Sequence, residues 1–169
     1  MAENRDPTQA PGVNARQGSA QRDVPLEVRR ARRRESRTSQ TYAAFIKHLC
    51  ERGGMSPGVA EKAAVSVLCA IEQRIFGEEA QDLEAQLPQK LLELLNRCER
   101  HESGPPPRKF GRAEMLLMVG EDLGLAPEAV EPVIRAVLDS LRDQVSEGEV
   151  EQVMRQLPHD LRDLWRPVV

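Results

Sequence analysis

Aromatic side chains are scarce in this chain: of its 169 residues one is Trp, one is Tyr and three are Phe. Strand-rich sandwiches and barrels draw on such residues, so their scarcity, beside 30% charged residues, points to a soluble protein rich in helix. Long apolar runs are missing as well. None approaches the ~20 residues of a membrane span, and no apolar stretch follows the first residues, which argues against membrane insertion and classical secretion. Cysteine is sparse and unpaired: Cys50, Cys69 and Cys98 form no close-spaced couple and make an odd count. A reducing, cytoplasmic setting without structural disulfides follows, with Cys69 acting as a small hydrophobe inside an apolar stripe.

The usual signatures of catalysis and cofactor binding are also lacking. There is no phosphate-binding Gly-x-x-x-x-Gly-Lys sequence and no Gly-x-Gly-x-x-Gly. Structural zinc needs four converging ligands at paired short spacings, whereas the couples His48/Cys50 and Cys98/His101 each stand alone. His159 follows Pro158 at a helix start and reads as exposed. Ser56, Ser66, Ser140 and Ser146 sit in helix or capping contexts with no histidine at a suggestive spacing. No catalytic, cofactor-binding or metal-binding residue is assigned, and a non-catalytic protein is expected.

What is present is unevenly distributed. Residues 1–40 hold nine arginines and five acids, a net of +4, whereas residues 41–169 hold fifteen basic and twenty-two acidic side chains, a net of −7. The leader, 1–40, has no aromatic residue and few aliphatics, with Pro7, Pro11, Gly12, Gly18 and Pro25 spread along it. It cannot bury enough apolar area to offset chain ordering, so disorder is expected there. A short helix from about Pro25 to Arg37 is compatible with Glu27 and Glu35 among good helix formers. Arg29, Arg30, Arg32, Arg33, Arg34 and Arg37 form the sharpest local feature, suited to electrostatic contact with phosphates.

The remainder repeats itself. Laying residues 45–95 over 115–165, a constant shift of 70 without a gap, makes twelve of fifty-one positions identical. They include Gly54 with Gly124, Pro57 with Pro127, Val67-Leu68 with Val137-Leu138, and Gln86-Leu87-Pro88 with Gln156-Leu157-Pro158. A tandem duplication is expected: repeat 1 over 41–97, a stiff proline-rich linker over 98–111 around Pro105–Pro107, and repeat 2 over 112–169.

Each copy reads as four helices. The first runs from about Tyr42 to Arg52 and from about Arg112 to Leu123, stopping at glycine. Ser56-Pro57 and Ala126-Pro127 open the second, whose stripe is Ala60, Ala63, Ala64, Val67, Leu68, Ile71 and Ile75 in one copy. The other copy renders it as Val130, Val133, Ile134, Val137, Leu138, Leu141 and Val145. A third helix follows near 78–87 and 147–157, and proline introduces a leucine-rich fourth. Pro132, inside the second stripe, calls for a kink, a distorted first turn or a later start. The run Met115–Val119 is apolar all round, which places its helix at the contact between copies. A unit of about fifty residues is marginal alone, so the expected fold is all-α: two tandem four-helix repeats packed into one bundle.

This succession of helix, glycine stop, capped helix, short acidic helix and Gln-Leu-Pro with a leucine-rich end resembles a bacterial family known as domain of unknown function 2267. The resemblance covers roughly 41–166 and is carried most specifically by Gln86-Leu87-Pro88, Gln156-Leu157-Pro158 and Ser146-Glu147-Gly148-Glu149. It implies the helical fold and brings no reaction, cofactor or catalytic residue. Two functions are therefore expected: a non-catalytic interaction or scaffold module receiving a protein partner between its helices, or an accessory factor holding nucleic acid through the arginine-rich leader. Without interleaved aromatic residues, the leader lacks the means for base stacking on single strands.

Overall fold

The computed structural model describes residues 25–75, 78–98 and 109–167. Among them the chain forms eight helices and no strand: α1 (Leu26–Gly53), α2 (Pro57–Glu72), α3 (Glu78–Ala85), α4 (Gln89–Leu95), α5 (Arg112–Leu123), α6 (Pro127–Gln144), α7 (Glu147–Gln156) and α8 (His159–Trp165). The expected all-α bundle is observed. Residues 1–24 of the leader and 99–108 of the proline-rich linker lie outside the described residues, as does His101.

Helix ends follow the local chemistry. Gly54 (φ 60°) and Gly124 (φ 63°) adopt the left-handed conformation after α1 and α5, a region only glycine enters without steric cost. The next amides close the turn: Met55 N–H donates to the Cys50 carbonyl at 3.3 Å and Leu125 N–H to the Gly120 carbonyl at 3.0 Å, the six-to-one bond of a Schellman ending. Ser56 Oγ accepts the Val59 N–H at the start of α2, and Ser146 Oγ accepts the Glu149 N–H at the start of α7.

The core is a single cluster drawn from all eight helices. Leu49, Ala60, Ala63, Ala64, Val67 and Leu68 are buried with Val130, Ile134, Val137, Leu138 and Leu141, so both apolar stripes face inward. Packing between the first four and the last four helices is reciprocal. Helix α1 lies on α2 and α6, while α5 lies on α6 and α2; α2 meets α6, and α3 meets α7. Helix α4 covers α1 and α2, as α8 covers α6 and α5. Trp165 is fully buried and its Nε1–H donates to the Leu138 carbonyl at 3.0 Å, giving the indole a polar partner inside the core.

The structure sharpens three expectations. First, α1 begins at Leu26, not at Tyr42: the helix allowed over Pro25–Arg37 is present, and it is continuous with the first core helix, so residues 26–40 of the leader are helical rather than disordered. After Pro25 this stretch contains no glycine or proline. Its anchored end, with Tyr42, Phe45, Ile46 and Leu49 in the core, supplies a nucleus onto which each further residue adds a bond. Second, α6 starts at Pro127 and continues through Pro132, which excludes a later start. Its first turn is tightened, Ala129 N–H bonding the Ala126 carbonyl three residues back. Pro132 has no N–H for the Glu128 carbonyl, but both residues are exposed, so water serves that acceptor. Third, α5 does sit between α2 and α6, yet it is not covered all round: Met115 and Val119 are buried while Leu117 is 59% exposed.

Candidate functional site

A groove lies where α2, the end of α4 and the end of α5 converge. It measures about 630 Å³ and is lined by Glu61, Lys62, Val65, Ser66, Leu94, Arg97, Cys98 and Asp122. Volumes of this order receive small ligands or peptide side chains. Val65, Leu94 and the Cys98 thiol give it aliphatic surface; Glu61, Lys62, Arg97 and Asp122 supply charges of both signs around that surface.

The position of each wall follows from helix-to-helix ties. Ser66, buried on α2, donates its hydroxyl to Asp122 Oδ2 at 2.5 Å and so holds the end of α5 against α2. Glu61 accepts the Tyr42 hydroxyl, joining α2 to α1. Burial, followed by the hydrogen bond and charge of Glu61, raises the Tyr42 phenol above its ordinary range, so it stays a donor. Lys90 places its ammonium 4.6 Å from the centre of the Tyr42 ring, a cation–π contact that packs α4 onto α1.

Seventy residues later the matching positions carry other ties. Arg112 pairs with Glu131, the positions matching Tyr42 and Glu61, and Glu131 is also bonded by Arg135 Nε at 3.0 Å. Hydrogen bonds and charge from these two arginines hold the Glu131 carboxyl below its ordinary range against the opposing effect of desolvation. Arg135 Nη1 then donates to the carbonyls of Asp163 at 3.1 Å and Leu164 at 3.2 Å, tying off the end of α8. Position 65 matches 135. Val65 carries no guanidinium and lines the groove beside the end of α4.

A second acidic region lies away from this groove. Glu72 is buried at the end of α2, where desolvation and then the charge of Glu84 push its carboxyl up to about 8. Glu149 is raised too, by desolvation and then by Asp82 and Glu79 across the α3–α7 contact. Among the described residues no three or more His, Cys, Asp or Glu side chains are grouped to hold a metal ion.

Of the residues singled out from sequence, Ser66 and Cys98 line the groove, and the other described ones fall elsewhere. Arg29, Arg30 and Arg32 are exposed on the first turns of α1, and the helix backbone continues through Arg33, Arg34 and Arg37. His48 is exposed on α1 and Cys50 half-buried. None of these lines the groove. Val65 and Arg97 escaped notice because nothing about them is unusual alone, and Ser66 and Cys98 were named without any sign that they meet; the legible signal was the contrast between Val65 and Arg135 in the 70-residue comparison. No helix among the described residues is long and apolar enough to cross a membrane.

No curated protein matches the chain. A family model described as "Uncharacterized conserved protein (DUF2267)" matches residues 42–164, from the Tyr42 anchor of α1 to Leu164 one residue before the end of α8. That match spans the packed core of the bundle up to Trp165, and the chain belongs to the DUF2267 family.

Proposed function

We propose that the chain is a non-catalytic interaction module of the bacterial cytoplasm, built by tandem duplication, in which one copy has kept its groove closed and the other has opened it to a protein partner. The carrying observation is the substitution of Val65 for the guanidinium that Arg135 supplies at the matching position. Aliphatic floor and mixed-sign rim suit a segment of protein bearing one apolar side chain flanked by charges. Affinity capture from native extract with the full chain tests this. The reading expects a protein retained by the wild type and by Val59→Arg, a change on exposed α2 surface outside the groove, and lost with Val65→Arg. A capture without any protein above background, or one indifferent to Val65→Arg, counts against it.

A second reading is favoured by a separate observation: α1 carries exposed arginines on a helix continuous with the core-anchored segment. In that reading the chain is an accessory factor that holds nucleic acid by its phosphates. Binding then falls steeply with salt and disappears on removal of residues 1–40; binding unchanged by that deletion refutes it.

A further inference from the structure

Disorder was expected in the leader, with at most a short helix over Pro25–Arg37; the backbone is helical from Leu26 and runs without a break into residues that pack in the core. Residues 25–32 are exposed throughout, so this end of α1 stands clear of the bundle. On a helix, positions 29, 33 and 37 stack one above another and positions 30 and 34 form the adjacent row. Five of the six arginine positions thus share one side, and Arg32 lies off it.

We infer that the first turns of α1 form a pre-ordered basic helix that docks on the phosphates of duplex DNA, a mode that rests on the second reading above and specifies it. From position 29 to position 37 the helix rises roughly 12 Å. Six arginines stand there against one acid, Glu35. B-form DNA carries one negative charge per about 1.7 Å of axis, hence about seven charges over that length. The linear charge densities match, and the B-DNA major groove, about 12 Å wide, admits a helix.

Competing occupants fit less well. Helices that lie on anionic membranes need a continuous apolar face. Here Leu26 and Val28 are 62% and 40% exposed, on different sides of the helix, with Leu26 on the arginine side. Single strands are held by stacking on aromatic rings, and the exposed turns carry none. Double-stranded RNA presents a major groove too deep and narrow for side chains to read. The acidic remainder of the chain repels the duplex, which confines contact to this arm. Arginines near the positive end of α1 also oppose the helix dipole, and bound phosphate relieves that repulsion.

The test is fluorescence anisotropy of a labelled, mixed-sequence DNA duplex titrated with the full chain. Wild-type affinity is expected to drop by roughly two to three orders of magnitude between about 50 and 200 mM salt. Three further arms separate the possibilities, with circular dichroism checking that each variant retains the bundle. Arg29→Ala, Arg30→Ala and Arg32→Ala combined should weaken binding at least tenfold; an unchanged affinity overturns both the docked helix and the nucleic-acid reading. Ser36→Pro keeps every charge but detaches roughly ten residues, too few to hold a helix alone. It should also weaken binding at least tenfold, whereas affinity within twofold of wild type overturns the docked helix and leaves the electrostatic reading standing. Sedimentation with vesicles of anionic phospholipid, without matching duplex binding, overturns both in favour of a membrane.

Discussion

Gln86 Oε1 accepts the backbone N–H of Ser146 at 2.7 Å, so a side chain from the first four helices caps a helix of the last four. In an ordinary capping box Glu149 would turn back to that amide. Here Glu149 is buried beside Asp82 and Glu79, and Gln86 takes its place. Part of the Gln-Leu-Pro signature is thereby accounted for: Gln86 bonds across the α3–α7 contact, Leu87 enters the core, and Pro88 opens α4.

Gln86→Ala removes this acceptor and leaves the amide to water. A loss of about 0.5–1.5 kcal/mol is expected. Urea unfolding checks it, with the midpoint lowered and the slope unchanged.

Leu68 and Leu138 hold matching places on α2 and α6, and both are buried. Truncation of either to alanine should cost ~2–5 kcal/mol through lost transfer energy and a residual cavity. A negligible change in thermal or urea midpoint at both positions would refute the inward orientation of these helix faces.

Glu72 gives stability a distinct pH dependence. Its folded carboxyl titrates at about 8, above the 4.5 of an unperturbed glutamate. Between those values the folded state keeps a proton that the unfolded state has released. The stabilisation is therefore complete below the lower value and declines as pH rises through the upper one, by up to about 1.4 kcal/mol per pH unit. Glu72→Gln should flatten the curve over this window and exceed wild type in stability at its alkaline end. Thermal melts across the range supply the measurement.

Val65→Arg tests the origin of the groove without reference to any partner. The new guanidinium lies four residues after Glu61 and within the arrangement by which Arg135 reaches the end of α8. Bonds to carbonyls at the end of α4 and an i,i+4 pair with Glu61 should leave the melting temperature unchanged or raise it. A clear fall would show that the groove walls cannot accept the side chain.

Much of this was legible residue by residue. The 3.6-residue spacing of Ala60 through Ile75 and of Val130 through Val145 announced two buried stripes, and glycine at 54 and 124 marked the helix ends, because these are properties of a short stretch of chain. The start of α1 was not legible. Residues 26–40 hold few apolar side chains and allowed no more than a short separate helix, yet they extend a helix nucleated by core residues further along. Solvent contact of Leu117 was hidden for a related reason: composition states that a helix is apolar, not which sides its neighbours cover.

The sequence by itself determined most of the helices, their glycine and serine ends, the burial of both stripes and the 70-residue correspondence of 45–95 with 115–165. All of these depend on contacts within a few turns or on identity between two stretches. Only the tertiary structure decided that α1 packs on α6 and α5 on α2, that Gln86 caps α7, and that Val65 lines a groove with the ends of α4 and α5. Those relations arise between residues far apart in the chain, where shape and hydrogen-bond geometry choose the partner and local propensity is silent.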